Sequence, residues 1–119
     1  MERKIKFRGK HLNKWIYGYL LKNIDDNKYY ISVSLDQFYQ VKEETIGQYT
    51  GLKDKNGVEI YENDIVKYES EDTSYVVMFD PTGYWCLDGN GARNSEMLYY
   101  EDISKSLEAI GNIYENEVD

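Results

Sequence analysis

Apolar and polar residues along this chain alternate in twos far more often than they recur every three or four positions. From Lys4 to Arg8, Ile5 and Phe7 oppose Lys4, Lys6 and Arg8, which predicts a strand with one wet face. His11-Leu12-Asn13-Lys14 reads as a turn. The run Trp15 to Leu21 that follows is apolar on both faces and is expected to be a central strand, with Gly18 marking a bulge or a close backbone approach. After a turn at Asp25-Asp26-Asn27, Tyr29, Ile31, Val33 and Leu35 alternate with Tyr30, Ser32, Ser34 and Asp36. These three segments, with a shorter alternation from Phe38 to Val41, predict an antiparallel meander. The charged connector Lys42-Glu43-Glu44 is the one plausible internal seam, so residues 1–44 and 45–119 are read as two portions of a single domain.

The second portion holds more short strands. Asn56-Gly57 is a favoured centre for a type I′ turn, which would bring Leu52 and Ile60 together across a tight loop. Strands are expected at Ile65 to Tyr68, Ser74 to Phe79, Tyr84 to Leu87, Met97 to Tyr100 and Leu107 to Tyr114. Asp80-Pro81-Thr82-Gly83 is a turn and Asp88-Gly89-Asn90-Gly91 a flexible loop. Only residues 101–106 look helical, with Asp102 able to cap a single turn. The fold class is therefore mainly β, and many short strands between turns suggest a small barrel or sandwich.

Composition sharpens this picture. A chain of 119 residues closes one hydrophobic core, and 13 tyrosines against one proline favour pleated, half-buried surfaces. No apolar run approaches the roughly 20 residues of a membrane span, and no signal peptide is apparent, so a cytoplasmic protein is expected. The lone Cys86 excludes an internal disulfide and a multi-cysteine zinc site, and beside Trp85 and Leu87 it reads as a buried thiol. Net charge is −8, but residues 1–14 carry six basic side chains against Glu2, a local +5. Lys4, Lys6, Arg8 and Lys10 are thus a candidate basic patch, with edge protection as the plain alternative.

The densest motif runs Thr50-Gly51-Leu52-Lys53-Asp54-Lys55-Asn56-Gly57-Val58-Glu59-Ile60-Tyr61-Glu62-Asn63-Asp64-Ile65-Val66 and is followed by Leu107-Glu108-Ala109-Ile110-Gly111-Asn112-Ile113-Tyr114-Glu115-Asn116. With the opening Ile5-Lys6-Phe7-Arg8-Gly9-Lys10 and Trp15-Ile16-Tyr17-Gly18, these blocks resemble the YopX protein family of bacteriophages and prophages. The resemblance implies an SH3-like β-barrel in the C-terminal half. It implies structural motif roles for Gly51, Asn56, Gly57, Tyr61, Asp64, Gly111 and Tyr114, and no catalytic residue. Asn63 stands where that family often has glycine, which suits a turn needing positive φ, and Glu117 follows Asn116 where a proline is common.

Chemistry is sparse. Glu59, Glu62 and Asp64 could gather around a divalent cation only if their oxygens converged on one point, and an EF-hand loop fails because Leu52 sits where an acid is required. His11 is the only histidine and no phosphate-cradling glycine loop is present. No enzyme activity and no cofactor are expected. The leading expectation is a protein-binding module that assembles with its own copies or with an unknown host or phage protein, with Tyr99 and Tyr100 as a candidate contact. Two alternatives stand beside it. One is nucleic-acid association through the basic N-terminal strand with aromatics stacking on unpaired bases, which the overall acidity disfavours; the other is an acidic mimic of nucleic acid that occupies a host factor.

Overall fold

The computed structural model describes residues 5–69, 72–79, 85–89, 92–97 and 105–115. The chain divides into two compact units, Met1–Tyr49 and Thr50–Asp119. The first contains β1 (Phe7–His11), β2 (Lys14–Lys22), β3 (Tyr29–Ser34), β4 (Gln37–Val41), a short 3-10 turn (Glu43–Thr45) and the start of β5 (Gly47–Lys53). The second contains the rest of β5, then β6 (Glu59–Tyr61), β7 (Asp64–Tyr68), β8 (Ser74–Phe79), β9 (Trp85–Gly89), β10 (Ala92–Met97) and β11 (Leu107–Asn112).

In the first unit the strands lie in the order β4-β3-β2-β1-β5, all paired antiparallel where registers are defined. The expected meander is present with its first strand moved along the chain. Pairing with β2 runs from Phe7↔Gly18 to His11↔Lys14, so His11 belongs to the strand and the turn shrinks to Leu12-Asn13. The β1–β4 ribbon curls until its two outer strands meet: Lys42 N donates to the Lys10 carbonyl at 2.9 Å, and Lys10 N to Thr45 Oγ1 at 2.8 Å. His11 Nδ1 donates to the Gln40 carbonyl at 2.8 Å, its ring edge-on to Tyr39. The charged stretch at Lys42-Glu43-Glu44 thus leads into a turn inside this unit, with Thr45 buried.

The curl needs two residues without side chains on the inner face. A Cβ on Gly9 would sit 2.9 Å from Val41 Cβ, and one on Gly18 would overlap the Ser32 carbonyl oxygen. Gly18 is the close backbone approach that the sequence suggests. Ile31 and Val41 are buried on this inner face.

In the second unit the sheet order is β10-β9-β8-β7-β11, a four-strand meander with the last strand returning beside the first. Ile60, Val66, Val77, Leu87 and Leu107 form the buried core, with Leu52, Tyr68, Tyr75, Trp85 and Ala109 packed against it. Both sheets are open orders among the described residues, so the chain is mainly β with two antiparallel sheets and no closed barrel. Strand β8 has the expected limits. Strand β10 was not expected, because Ala92–Met97 shows no apolar alternation; among the described residues it pairs with β9 alone, through a register shift. Asp88 and Gly89, expected in a loop, end β9. Tyr84, the Asp80–Gly83 turn, Asp102 and residues 98–104 lie outside the described residues, while Lys105 and Ser106 form a turn.

Two further expectations are corrected by geometry. Gly57 has φ +81° but Asn56 is not in the positive-φ region, so the turn is not type I′. Asp54 N donates to the Val58 carbonyl at 2.8 Å and Gly57 N to the Asp54 carbonyl at 3.0 Å, the bonding of a three-residue loop ending in a left-handed glycine. Cys86 is only half-buried. Leu87 and Trp85 point to the core, and alternation sends the intervening thiol to the other face.

Two stability outcomes follow from the backbone and are read by chemical denaturation. Gly18→Ala should cost about 2 kcal/mol, because backbone must move to admit a methyl group. Leu12, with φ +58° and 73% of its surface exposed, pays a left-handed penalty with no packing in return. Replacing it with glycine should therefore raise stability by roughly 0.5–1 kcal/mol, and a loss would show that Leu12 makes a stabilising contact.

Candidate functional site

Two groups of residues carry the chain's distinctive chemistry, and the structure gives them different roles. The motif block of the second unit is built into the architecture. Asp54 is buried, and its carboxylate accepts three backbone N–H bonds: Asn56 at 2.8 Å and Val58 at 2.9 Å on Oδ1, Ala109 at 2.9 Å on Oδ2. Lys55 N donates to the Leu107 carbonyl at 2.9 Å. The loop before β6 is thereby fastened to β11, which joins the two sequence blocks that are far apart along the chain.

The remaining motif residues act locally. Asp64, buried at the start of β7, accepts the Tyr61 N–H at 2.8 Å, and the buried Tyr61 donates its hydroxyl to Glu59 at 3.1 Å. Asn63 has φ +72°, the conformation that makes asparagine an acceptable replacement for glycine, and its Nδ2 donates to the Tyr114 hydroxyl at 2.8 Å. Tyr114 N in turn donates to Asn112 Oδ1 at 2.9 Å. Gly51 has φ +89°, and Gly111 follows a register shift in the pairing of β11 with β7. Glu59 and Asp64 are engaged separately around Tyr61, and among the described residues no three of His, Cys, Asp and Glu gather as a metal-holding group.

The other group lies on the outer face of the first unit. Register and two-residue period place Arg8 beside Tyr17 and Lys10 beside Trp15, then Tyr19 beside Ser32 and Phe38, and Leu21 beside Tyr30 and Gln40. All of these share one face. Tyr17, Tyr19, Leu21 and Phe38 are exposed by 46%, 68%, 42% and 50%. Near β5 the same face is buried: Arg8 retains 5% exposure, with its guanidinium 4.6 Å above the Trp15 ring. Lys10 Nζ stands 5.4 Å from that ring, and Lys6 Nζ 5.6 Å from the ring of the buried Tyr49.

The expected basic patch is thus divided. Lys4 lies outside the described residues, Arg8 is buried, and Lys6 and Lys10 are half-buried against aromatic rings. Tyr99 and Tyr100 also lie outside the described residues. The exposed aromatic row on β2 and β4 is the surface that sequence reasoning did not single out. Its signal was available: Tyr17, Tyr19 and Leu21 occupy one parity of a strand apolar on both sides, and only one side could be inward.

One end of this face carries a negative charge. The Tyr30 hydroxyl donates to Asp26 Oδ2 at 2.6 Å, and Lys28 N donates to Asp26 Oδ1 at 2.9 Å. These bonds, the Tyr30 one first, hold the Asp26 carboxyl below its ordinary value, while the same bond raises the Tyr30 phenol. Any stability contributed by the lowered carboxyl is present above its unfolded value and lost as pH falls through the folded one. For the phenol it is present below the unfolded value and lost as pH rises through the folded one.

All-antiparallel β units, a motif block committed to backbone fastening and an exposed aromatic sheet face define a mainly β protein. The YopX protein family model matches residues 6–118, and the chain belongs to that family. It is similar in fold to the crystal structure of protein EF1440 from Enterococcus faecalis, with a TM-score of 0.58 and 21% identity over 97% of this chain and 96% of that one. No curated protein matches the chain. No helix among the described residues is long and apolar enough to cross a membrane.

Two substitutions test these assignments. Asp54→Ala should cost roughly 3 kcal/mol by leaving three part-buried amides without their acceptor, while Asp54→Asn, which keeps one acceptor oxygen, should cost less. An equal loss would show that charge rather than acceptor geometry matters. In a carbon-detected titration, the Asp26 carboxyl should have its midpoint below 3.8 and move upward in Tyr30→Phe; an unchanged midpoint would remove the hydroxyl as its cause.

Proposed function

We propose that this chain is a non-catalytic binding and assembly module, of phage or prophage origin and acting in the bacterial cytoplasm. Its contact surface is the outer face of β2, β3 and β4. The observation that carries this reading is the exposure of Tyr19 and Phe38 in one cross-strand row, flanked by Tyr17 and Leu21. Water-exposed rings on a sheet face are costly to solvate and give contact area at low entropic cost when covered. The motif residues of the second unit support the same reading, since the buried Asp54 and Asp64 carboxylates accept backbone N–H bonds. We also read the second unit as an SH3-like portion whose five-strand antiparallel order, β10-β9-β8-β7-β11, stays open among the described residues. Copies of the chain and host or phage proteins are the partners this surface would take.

The test is a variant carrying Tyr17→Ser, Tyr19→Ser and Phe38→Ser. Each exposed change should alter stability by no more than about 0.5 kcal/mol, so the variant should fold. It should lose self-association in sedimentation velocity, or lose specific proteins that the wild type recovers from nuclease-treated bacterial lysate. A folded variant with unchanged sedimentation and unchanged recovery would remove this face as the contact.

A further inference from the structure

We infer that Asn56 is a deamidation site of the folded chain, that the Asp54 cap sets its rate, and that the product unfastens the loop before β6 from β11. This goes beyond the contact-face reading, since the site lies in the second unit. Three observations carry it.

The first is the pair itself. Among the described residues Asn56 alone is an asparagine followed by glycine, and both residues are exposed. The Gly57 nitrogen, after giving its proton to base, attacks Asn56 Cγ. An N–Cγ bond forms, the Cγ–Nδ2 bond breaks, and ammonia leaves with the returned proton, so a five-membered succinimide remains. Water then opens the ring at one carbonyl to give aspartate or at the other to give isoaspartate, in which the main chain runs through the side-chain carbon. A side chain on the attacking residue would crowd this step, and glycine has none. A Cβ built at Gly57 would meet no atom within 4 Å, so the surrounding fold does not crowd it either.

The second is a lock on the nucleophile. Gly57 N donates to the Asp54 carbonyl at 3.0 Å, while Asn56 N and Val58 N, on either side, donate to Asp54 Oδ1 at 2.8 and 2.9 Å. Gly57 must leave that carbonyl to lose its proton, and the Asn56–Gly57 peptide must rotate toward Cγ, which the two flanking bonds oppose. Reaction therefore proceeds from a local opening of the loop, and the folded rate is the unfolded rate multiplied by the open fraction.

The third is the effect of the product. Isoaspartate adds a main-chain carbon to a three-residue loop closed by Asp54 N on the Val58 carbonyl at 2.8 Å, and it sets a new carboxylate two positions from the buried Asp54. The amides of residues 56 and 58 lose the spacing that lets both reach Oδ1. Asp54 Oδ2 accepts the Ala109 N–H at 2.9 Å and Lys55 N donates to the Leu107 carbonyl at 2.9 Å, so a loop that changes shape lets go of β11. Loss of ammonia makes the change one-way.

The test is peptide mapping by mass spectrometry of the full chain aged in mildly alkaline buffer, folded and in urea, with isoaspartyl-specific methylation to separate the two products. Asn56 should convert in both, slower in the folded chain by roughly tenfold or more. Asp54→Asn, with circular dichroism unchanged, should speed the folded reaction by about tenfold. In the isoaspartate form the Ala109 amide should exchange hydrogen faster than in the fresh chain. Asn56→Asp, which brings the charge without the extra carbon, should show a smaller increase. An Asn56 that stays intact in the folded chain while the urea sample converts overturns the inference, as do equal rates in both or an unchanged rate in folded Asp54→Asn. If that variant does not fold, the folded-to-urea ratio of the wild type decides alone. Unchanged exchange at Ala109 in the isoaspartate form overturns the release of β11.

Discussion

The approach of the Ser32 carbonyl to Gly18 is the constraint on which the first unit depends. Any side chain at position 18 would occupy the space of that oxygen, so β2 and β3 can lie in this register only with glycine there. Register in a two-faced sheet decides more than pairing. A slip of one residue would exchange the faces of β2, sending Tyr17, Tyr19 and Leu21 inward and Ile16 and Leu20 to water. The seam that Lys42, Thr45 and His11 make with Lys10 and Gln40 would be lost with it. The composition of the outer face is therefore a consequence of one missing Cβ on the inner face.

The second unit is held by a different device. Its hydrophobic cluster could form with several placements of the loop before β6, and the Asp54 carboxylate selects one by bonding two amides within the loop and the Ala109 amide of β11. Burying a carboxylate is expensive unless several donors replace its water, and three backbone amides do so here. Asn63 works in the same manner on a smaller scale. Its left-handed backbone turns the chain into β7, and its side chain reaches Tyr114 near the far end of the motif.

What was legible in the sequence was whatever depends on local pattern. Alternation at Tyr29–Ser34 and Ser74–Phe79 located β3 and β8, and the interruption of an apolar run by Gly18 foretold a close approach. Asn63 in place of glycine announced its positive φ. What stayed hidden depends on distant partners. Arg8 is buried over Trp15 although an arginine in an alternating strand normally faces water. The Asn56-Gly57 pair suggested a two-residue turn because nothing near it shows that Asp54 will cap the loop from the side. Strand β10 has no apolar face to advertise it, since hydrogen bonding to β9 alone places it at an edge. The exposed aromatic face was half legible: β2 is apolar on both sides, but which side stays open is decided by the curl of the ribbon.

Charge segregation bears on how such a face could act in a protein of net charge −8. At physiological ionic strength the Debye length is about 8 Å, so a ligand on a sheet surface responds chiefly to the charges within a side chain's reach of it. For the outer face these are Lys10, the buried Arg8 and, at the far end, Asp26. The field of the whole protein still acts during approach and slows nonspecific encounter with polyanions. An aromatic face whose cations are buried or half-buried against rings is thus biased against ligands that offer only charge and toward those that also fill the rings. Affinity on such a surface must come mainly from the aromatic contacts.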